Sequence, residues 1–186
     1  MQNVAEWRRT TRIELVARRA AIAAADRSAW TARITAHLDG LFAGLEPGVL
    51  GFYWAVRGEY DPRPMVDALL AREWRAALPV VVGKDKPLEY RSWTPETVME
   101  RGALGIMVPR EGAPVIPDTV LVPLVGYDDA RYRLGNGGGY FDRTLAELDP
   151  PLAIGVGFAL CRLDTIHPQP HDRPMDVIVT ENGVLR

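Results

Sequence analysis

The 186-residue sequence predicts an α/β fold in which a largely parallel sheet is flanked by helices. Apolar runs at 49–54, 78–82, 119–125 and 153–158 alternate with segments of helical spacing, the pattern of strands joined by crossover helices. The run 119–125 carries no charge and no polar alternation, as expected of a central strand covered on both faces. A glycine cluster separates that run from the next helical segment.

Each element follows from its local pattern. Over 4–25, Val4, Trp7, Leu15 and Ile22 recur near helical spacing with no Gly or Pro between them, so this segment reads as a helix. Asp26 and Ser28 can each cap a second helix reaching about residue 45, where Gly44, Pro47 and Gly48 stop it. The first strand, 49–54, is followed by a polar loop, a short helix at 64–74, and strands at 78–82 and 87–93. The Pro- and Gly-rich stretch 109–117 reads as a mobile loop. Beyond the central strand come a helix at 140–148 and strands at 153–158 and 176–180. No repeat or linker interrupts the pattern, and 47% hydrophobic content suits one domain spanning 1–186.

Composition narrows the function. Lys and Arg total 22 against 24 for Asp and Glu, a formal charge of -2, so no global field gathers nucleic acid or an anionic membrane, and any anion site is local. Basic stretches interleaved with aromatics are absent, and so is an apolar run of about 18 residues. The single cysteine, Cys161, cannot form an internal disulfide, and the first thirty residues lack the apolar stretch of a secretory signal; a reducing cytoplasm is the expected location.

The most informative segment is Arg133-Leu134-Gly135-Asn136-Gly137-Gly138-Gly139-Tyr140-Phe141-Asp142. Four glycines free the backbone to turn successive N–H groups into one concavity, and the helix that follows adds its positive end, which together make a phosphate cradle. The spacing is neither G-x-x-x-x-G-K-[ST] nor G-x-G-x-x-G. A flexible turn is the alternative reading. Arg133 suits bidentate phosphate contact. Asp142 would repel phosphates unless a cation intervenes, which makes it a candidate Mg²⁺ ligand; a favourable place on the helix dipole is its plainer role. Arg8 and Arg12 are four residues apart, and Arg19 falls within about 40° of them on a 3.6-residue helix. They form either a solvated face or a distant part of the phosphate site.

Other candidates are weaker. Trp54 and Glu59 lie where strand ends present ligand contacts, and an aromatic face with an acceptor would suit a pterin ring; core packing and a surface turn are the alternatives. His167 and His171 are separated by prolines that exclude a helical zinc pair, and Asp172 is either a second carboxylate for a cation or a turn residue. Neither Ser28 nor Ser92 sits in a nucleophile elbow, and nothing near Cys161 in sequence would ionise it, so covalent catalysis is disfavoured.

Taken together these segments resemble the 5-formyltetrahydrofolate cyclo-ligase family over nearly the whole chain. Arg133 to Asp142 is similar to its R-L-G-x-G-x-G-Y-[YF]-D signature, Arg8 to Arg12 to its K-x-x-[LT]-R element, and Trp54 to Asp61 to its E-[VI]-D loop. Pro123 to Asp128, the segment 87–93, His171 to Asp176 and Val179 to Glu181 resemble further family segments. The resemblance implies a fold shared with sugar-phosphate isomerases and CoA transferases, ATP as co-substrate and a bound Mg²⁺. By the same resemblance Arg8, Arg9 and Arg12, with Arg133, Leu134, Gly135, Asn136, Gly137, Gly138, Gly139, Tyr140 and Phe141, would hold the ATP phosphates. Asp142 and Asp172 would bind Mg²⁺, Trp54 and Glu59 the pterin, and Tyr140 would lie near the formyl group, with Arg133 and Tyr140 taking part in catalysis. The implied activity is ATP-dependent cyclisation of 5-formyltetrahydrofolate to 5,10-methenyltetrahydrofolate in a monomer or weak dimer. The alternatives are an ATP-binding paralogue acting on another small molecule, thiamine-related metabolism being one possibility, and a non-catalytic folate or nucleotide binder. The chain departs from the family pattern at Arg8, usually Lys, at Phe141, and at Val108 and Cys161, where polar residues are usual.

Overall fold

The computed structural model describes residues 3–148 and 151–186. Helices α1 (Val4–Ala20) and α2 (Ala24–Phe42) precede strand β1 (Val49–Gly51), helix α3 (Arg63–Leu70) and strands β2 (Arg75–Val81) and β3 (Leu88–Trp93). A hairpin of β4 (Met99–Arg101) and β5 (Met107–Pro109) leads to β6 (Pro114–Val115) and β7 (Thr119–Pro123). The short pair β8 (Gly126–Tyr127) and β9 (Arg133–Leu134) then gives way to α4 (Tyr140–Glu147), β10 (Leu152–Val156), β11 (Val177–Thr180) and β12 (Gly183–Leu185).

The main sheet has eight strands in the order β12-β11-β10-β7-β1-β2-β3-β6. Its middle, from β11 to β2, is parallel, and the edges are antiparallel. From β1 the chain proceeds through α3 to β2 on one side; from β7 it proceeds through α4 to β10 on the other. The carboxyl ends of β1 and β7 therefore diverge at a switch point, where open α/β sheets leave a crevice for ligands.

Alternation along the strands explains the uninterrupted apolar run. Leu121 packs with the cluster under α2 and α3, which includes Ile34, Leu38, Phe42, Met65 and Leu69, whereas Val120 and Val122 pack on the opposite face with Leu145 of α4. Both faces are covered, so both must be apolar. Gly51 leaves the room that the Tyr90 ring fills: a Cβ there would come within 2.7 Å of it.

The helix boundary at α1 differs from the sequence expectation of a helix to 25. The break falls at Ala21–Ala23 without Gly or Pro, and α2 begins after Ala23, with no side-chain cap from Asp26 or Ser28. Arg27 spans the break: its guanidinium donates to the carbonyl of Arg19, which also accepts from the Ile22 amide at 3.4 Å, and, at 2.8 Å, to that of Gly58. The helix at 64–74 ends at Leu70, and Trp74 instead packs edge-on against Phe42 at 5.1 Å. The stretch 109–117 contains an edge strand, β6, on β3. No described helix is long and apolar enough to cross a membrane.

Buried Thr144 locks α4 to the sheet, its hydroxyl donating to Tyr140 O at 2.7 Å and accepting from the Leu88 amide at 2.8 Å. Thr144→Val strands that amide. We expect a loss of about 1–3 kcal/mol, read as a fall of several degrees in Tm by calorimetry, with Thr144→Ser close to wild type.

Candidate functional site

A cleft of about 570 Å³ opens at the carboxyl ends of β1, β2 and β7, a volume in the range of small-molecule sites. One wall is the glycine loop 135–139 with the first turn of α4. A second wall is the loop after β1 together with the β4–β5 hairpin, meeting the glycine loop where Glu59 faces Asn136 at 3.5 Å, and Arg8 and Arg12 of α1 and the segment 171–172 also line the cleft.

The glycine loop has the backbone shape that only glycine adopts freely. Gly137 has φ 97° and Gly139 φ 64°, and Gly139 is the left-handed N-cap of α4 with no side chain occupying the helix start. The first amides of α4 are thus left for a ligand, at the positive end of the helix. Arg12 and Arg143 bring two cations to the loop. The Nε of Arg12 donates to Gly135 O at 2.7 Å and its guanidinium lies against Gly137, where a Cβ would sit 3.5 Å from Cζ. Burial, and then the neighbouring Arg8, hold its pKa below the ordinary guanidinium value. Arg143 folds back from α4, donating to Gly138 O at 2.6 Å with its guanidinium 5.1 Å from the Tyr140 ring.

Arg8 and Arg133 are engaged by the protein itself. Arg8 is buried, donates to the carbonyls of Ile166 (3.2 Å) and His167 (3.1 Å), and pairs with Asp172. Burial works to raise the pKa of Asp172, but Arg8 and the Gln169 amide at 2.6 Å hold it below the usual carboxylate value. Arg133 is buried beside Phe141 and reaches Asp142 Oδ1 at 2.9 Å, and the same oxygen accepts from the Arg173 amide at 3.0 Å. Among the described residues Asp142 Oδ2 has no hydrogen-bond partner, which leaves it for a cation. Arg9 is exposed and lies off the cleft.

On the other wall, Trp54 carries the Arg63 guanidinium 4.4 Å from its ring centre. Glu59 is buried: Oε2 accepts from the Val56 amide at 3.0 Å, and Oε1 faces Asn136 Nδ2 at 3.5 Å and Arg19 Nη2 at 3.7 Å. Burial raises its pKa, and the Val56 amide and Arg19 oppose the rise. The sequence reading therefore places Trp54, Glu59, Arg8, Arg12, Arg133, the glycine loop, Tyr140, Phe141, Asp142 and Asp172 on one cleft.

It missed the β4–β5 hairpin, whose turn from Gly102 to Ile106 lines the wall, although Gly102 and Gly105 were an available signal. It also missed Asp128, which accepts from the amides of Ala130, Tyr132 and Ile166 and so shapes the approach to the glycine loop. Val108 lines the cleft; Cys161 does not, being buried against Leu15 and Ile166 with its thiol pushed up to about 11 by burial.

Fold and cleft together define an α/β protein with a candidate ligand site at the sheet's switch point, where a glycine nest and a buried carboxylate line one cleft. Residues 4–181 match the profile of the 5-formyltetrahydrofolate cyclo-ligase family, and the chain belongs to that family. The 5-formyltetrahydrofolate cyclo-ligase of Haemophilus influenzae is 30% identical over 132 residues, covering 68% of this chain and 71% of that protein. The Escherichia coli K12 protein of the same name is 30% identical over 138 residues, covering 68% and 74%. The NMR structure of Aquifex aeolicus 5,10-methenyltetrahydrofolate synthetase superposes with a TM-score of 0.83 at 29% identity, over 96% of this chain and 92% of that one. The Mycoplasma pneumoniae synthetase, at 22% identity and a TM-score of 0.76, shares the fold over 94% of this chain and 98% of its own.

Removing Arg8 leaves Asp172, with a side chain only 7% exposed, as an uncompensated buried charge. Arg8→Met is expected to cost about 3 kcal/mol or more at neutral pH, measured by urea denaturation, and Arg8→Met/Asp172→Asn should recover part of that loss.

Proposed function

We propose that this chain is an ATP-dependent ligase that closes 5-formyltetrahydrofolate to 5,10-methenyltetrahydrofolate, releasing ADP and phosphate. The observation that carries the reading is that a glycine nest faced by Arg12 and the Trp54 and Glu59 side chains border the same cleft. Two ligands brought together there would meet beside Tyr140.

The chemistry suits these residues. The N5-formyl oxygen attacks the γ-phosphorus, forming an O–P bond as the bond to ADP breaks. N10 then attacks the activated formyl carbon, a C–N bond forms, N10 loses its proton, and the C–O bond breaks with departure of phosphate. Such transfer needs positioning and charge neutralisation more than a covalent nucleophile. The amides of 137–139 and Arg12 would meet the phosphates, while Arg8 and Arg133 add positive charge from their places on Asp172 and Asp142. Glu59 would accept from the N–H edge of the pterin, Trp54 would cover its ring, and Tyr140 would border the reacting formyl group.

The donor set also fits a divalent ion that arrives with the nucleotide. Among the described residues no three His, Cys, Asp or Glu side chains converge, as a resident site would require. Mg²⁺, however, commonly takes one or two carboxylates and completes its shell with phosphate oxygens and water. Asp142 would hold it through Oδ2 and Asp172 would add negative charge from beside Arg8; the ion would supply neutralisation of charge on the transferring phosphoryl group.

The test is the near-ultraviolet absorbance of the methenyl product from protein, 5-formyltetrahydrofolate, ATP and Mg²⁺, each omitted in turn. Turnover that needs all of them supports the proposal, and no turnover from folded, ATP-binding protein favours a relative with another substrate. Asp142→Asn should lower turnover by about 10²-fold. In Gly137→Ala, a side chain forced to positive φ should weaken ATP binding by about tenfold, seen by titration calorimetry.

A further inference from the structure

We infer that Arg19 is a positioning residue for the substrate-facing carboxylate, fixing Glu59 as an anion aimed into the cleft; the inference rests on the folate reading above. Arg19 lies at the end of α1, away from the cleft lining, and is 1% exposed. Its Nη1 donates to Leu124 O at 3.0 Å and its Nε to Arg57 O at 3.1 Å. Those carbonyls belong to the segments leaving β7 and β1, the two strands that diverge at the switch point. The remaining nitrogen, Nη2, has no hydrogen-bond partner among the described residues and faces Glu59 Oε1 at 3.7 Å. One guanidinium thus ties both loops to α1 and turns its last edge to Glu59.

Packing alone gives no reason for an arginine here. Apolar side chains of similar volume fill buried positions at less cost than an ion pair, because taking both charges out of water offsets their attraction. Its effect on Glu59 is a reason. Burial alone drives Glu59 toward the neutral acid, in which one oxygen becomes an O–H donor and the negative charge that strengthens its acceptor role is lost. Facing the carboxylate are Arg19 from α1, Arg57 and the Val56 amide from its own loop, Asn136 from the glycine loop and Tyr53 from the end of β1. Of the two guanidinium groups only Arg19 is buried; Arg57 is exposed and screened by solvent. The sign follows: a cation lowers the pKa of a neighbouring acid, so its removal makes Glu59 take up a proton at higher pH.

The experiment is the pH dependence of KM for 5-formyltetrahydrofolate in wild type, Arg19→Met, Glu59→Gln and the double variant. We expect KM to rise on the acid side, and Arg19→Met to move that rise upward by about one pH unit or more. Glu59→Gln should raise KM and flatten its pH profile, and the double variant should match Glu59→Gln within about twofold. A purely structural Arg19 gives the opposite result: an unshifted profile, and a KM penalty that adds to that of Glu59→Gln. Arg19→Lys, which keeps the charge and loses the fork, should hold the acid limb near its wild-type position even if Arg19→Met does not fold; a limb displaced in that variant overturns the inference. Where the wild type shows no turnover, the titration of Glu59 in ¹³C-glutamate-labelled protein separates the two ideas. Its midpoint moves up in the Arg19 variant lacking the charge if the inference holds, whatever the substrate, and stays in place if it does not.

Discussion

Three guanidinium groups on one face of α1 have no place in a hydrocarbon core, and the site depends on where they find their acceptors. Arg8, Arg12 and Arg19 each reach a different irregular segment at the carboxyl edge of the sheet: the 166–172 loop, the glycine loop, and the two segments leaving β1 and β7. The apolar side chains of these segments, Phe52, Leu124, Val125 and Ile166 among them, are buried in the core, while their irregular backbone turns carbonyls toward α1. Backbone carbonyls are what they offer, and a buried guanidinium with its fixed fork of donors satisfies several at once. The helix therefore organises the cleft as well as lining it.

The same arrangement sorts charge within the site. Arg8 and Arg133 lie on Asp172 and Asp142, so the carboxylates and their partners form a nearly neutral frame. Among the described residues Arg12 hydrogen-bonds only to a carbonyl of the glycine loop and forms no direct ion pair, which leaves its guanidinium beside Gly137. A nest of amides, a helix start and the guanidinium groups of Arg12 and Arg143 make the positive spot that the overall charge of -2 conceals. Beside the loop, where it faces Asn136, Glu59 provides the opposite polarity in a buried setting.

Much of this was legible in the sequence, for identifiable reasons. The central strand declared itself because both faces are covered, and the glycine loop because positive φ at Gly137 and Gly139 excludes most other residues. The arginine face of α1 could be read as a face, since helical spacing fixes direction, but its burial could not: apolar periodicity assigns such a face to solvent. The boundary between α1 and α2 was hidden because no Gly or Pro marks it and neither Asp26 nor Ser28 caps α2. The β4–β5 hairpin escaped notice because its strands are three residues each and take their place from contact with β2 and β3. Cys161, where the family pattern has an amide, packs behind the cleft, a relation that chain position does not reveal.

The most direct measurement is a crystal structure of the chain with a non-hydrolysable ATP analogue. The account requires the terminal phosphates to rest against the amides of residues 137–139 and the Arg12 guanidinium, with Arg8 still on Asp172 and Arg19 still holding the loop carbonyls. Phosphates bound elsewhere, or Arg12 turned away from them with α1 displaced from the loops, would contradict it.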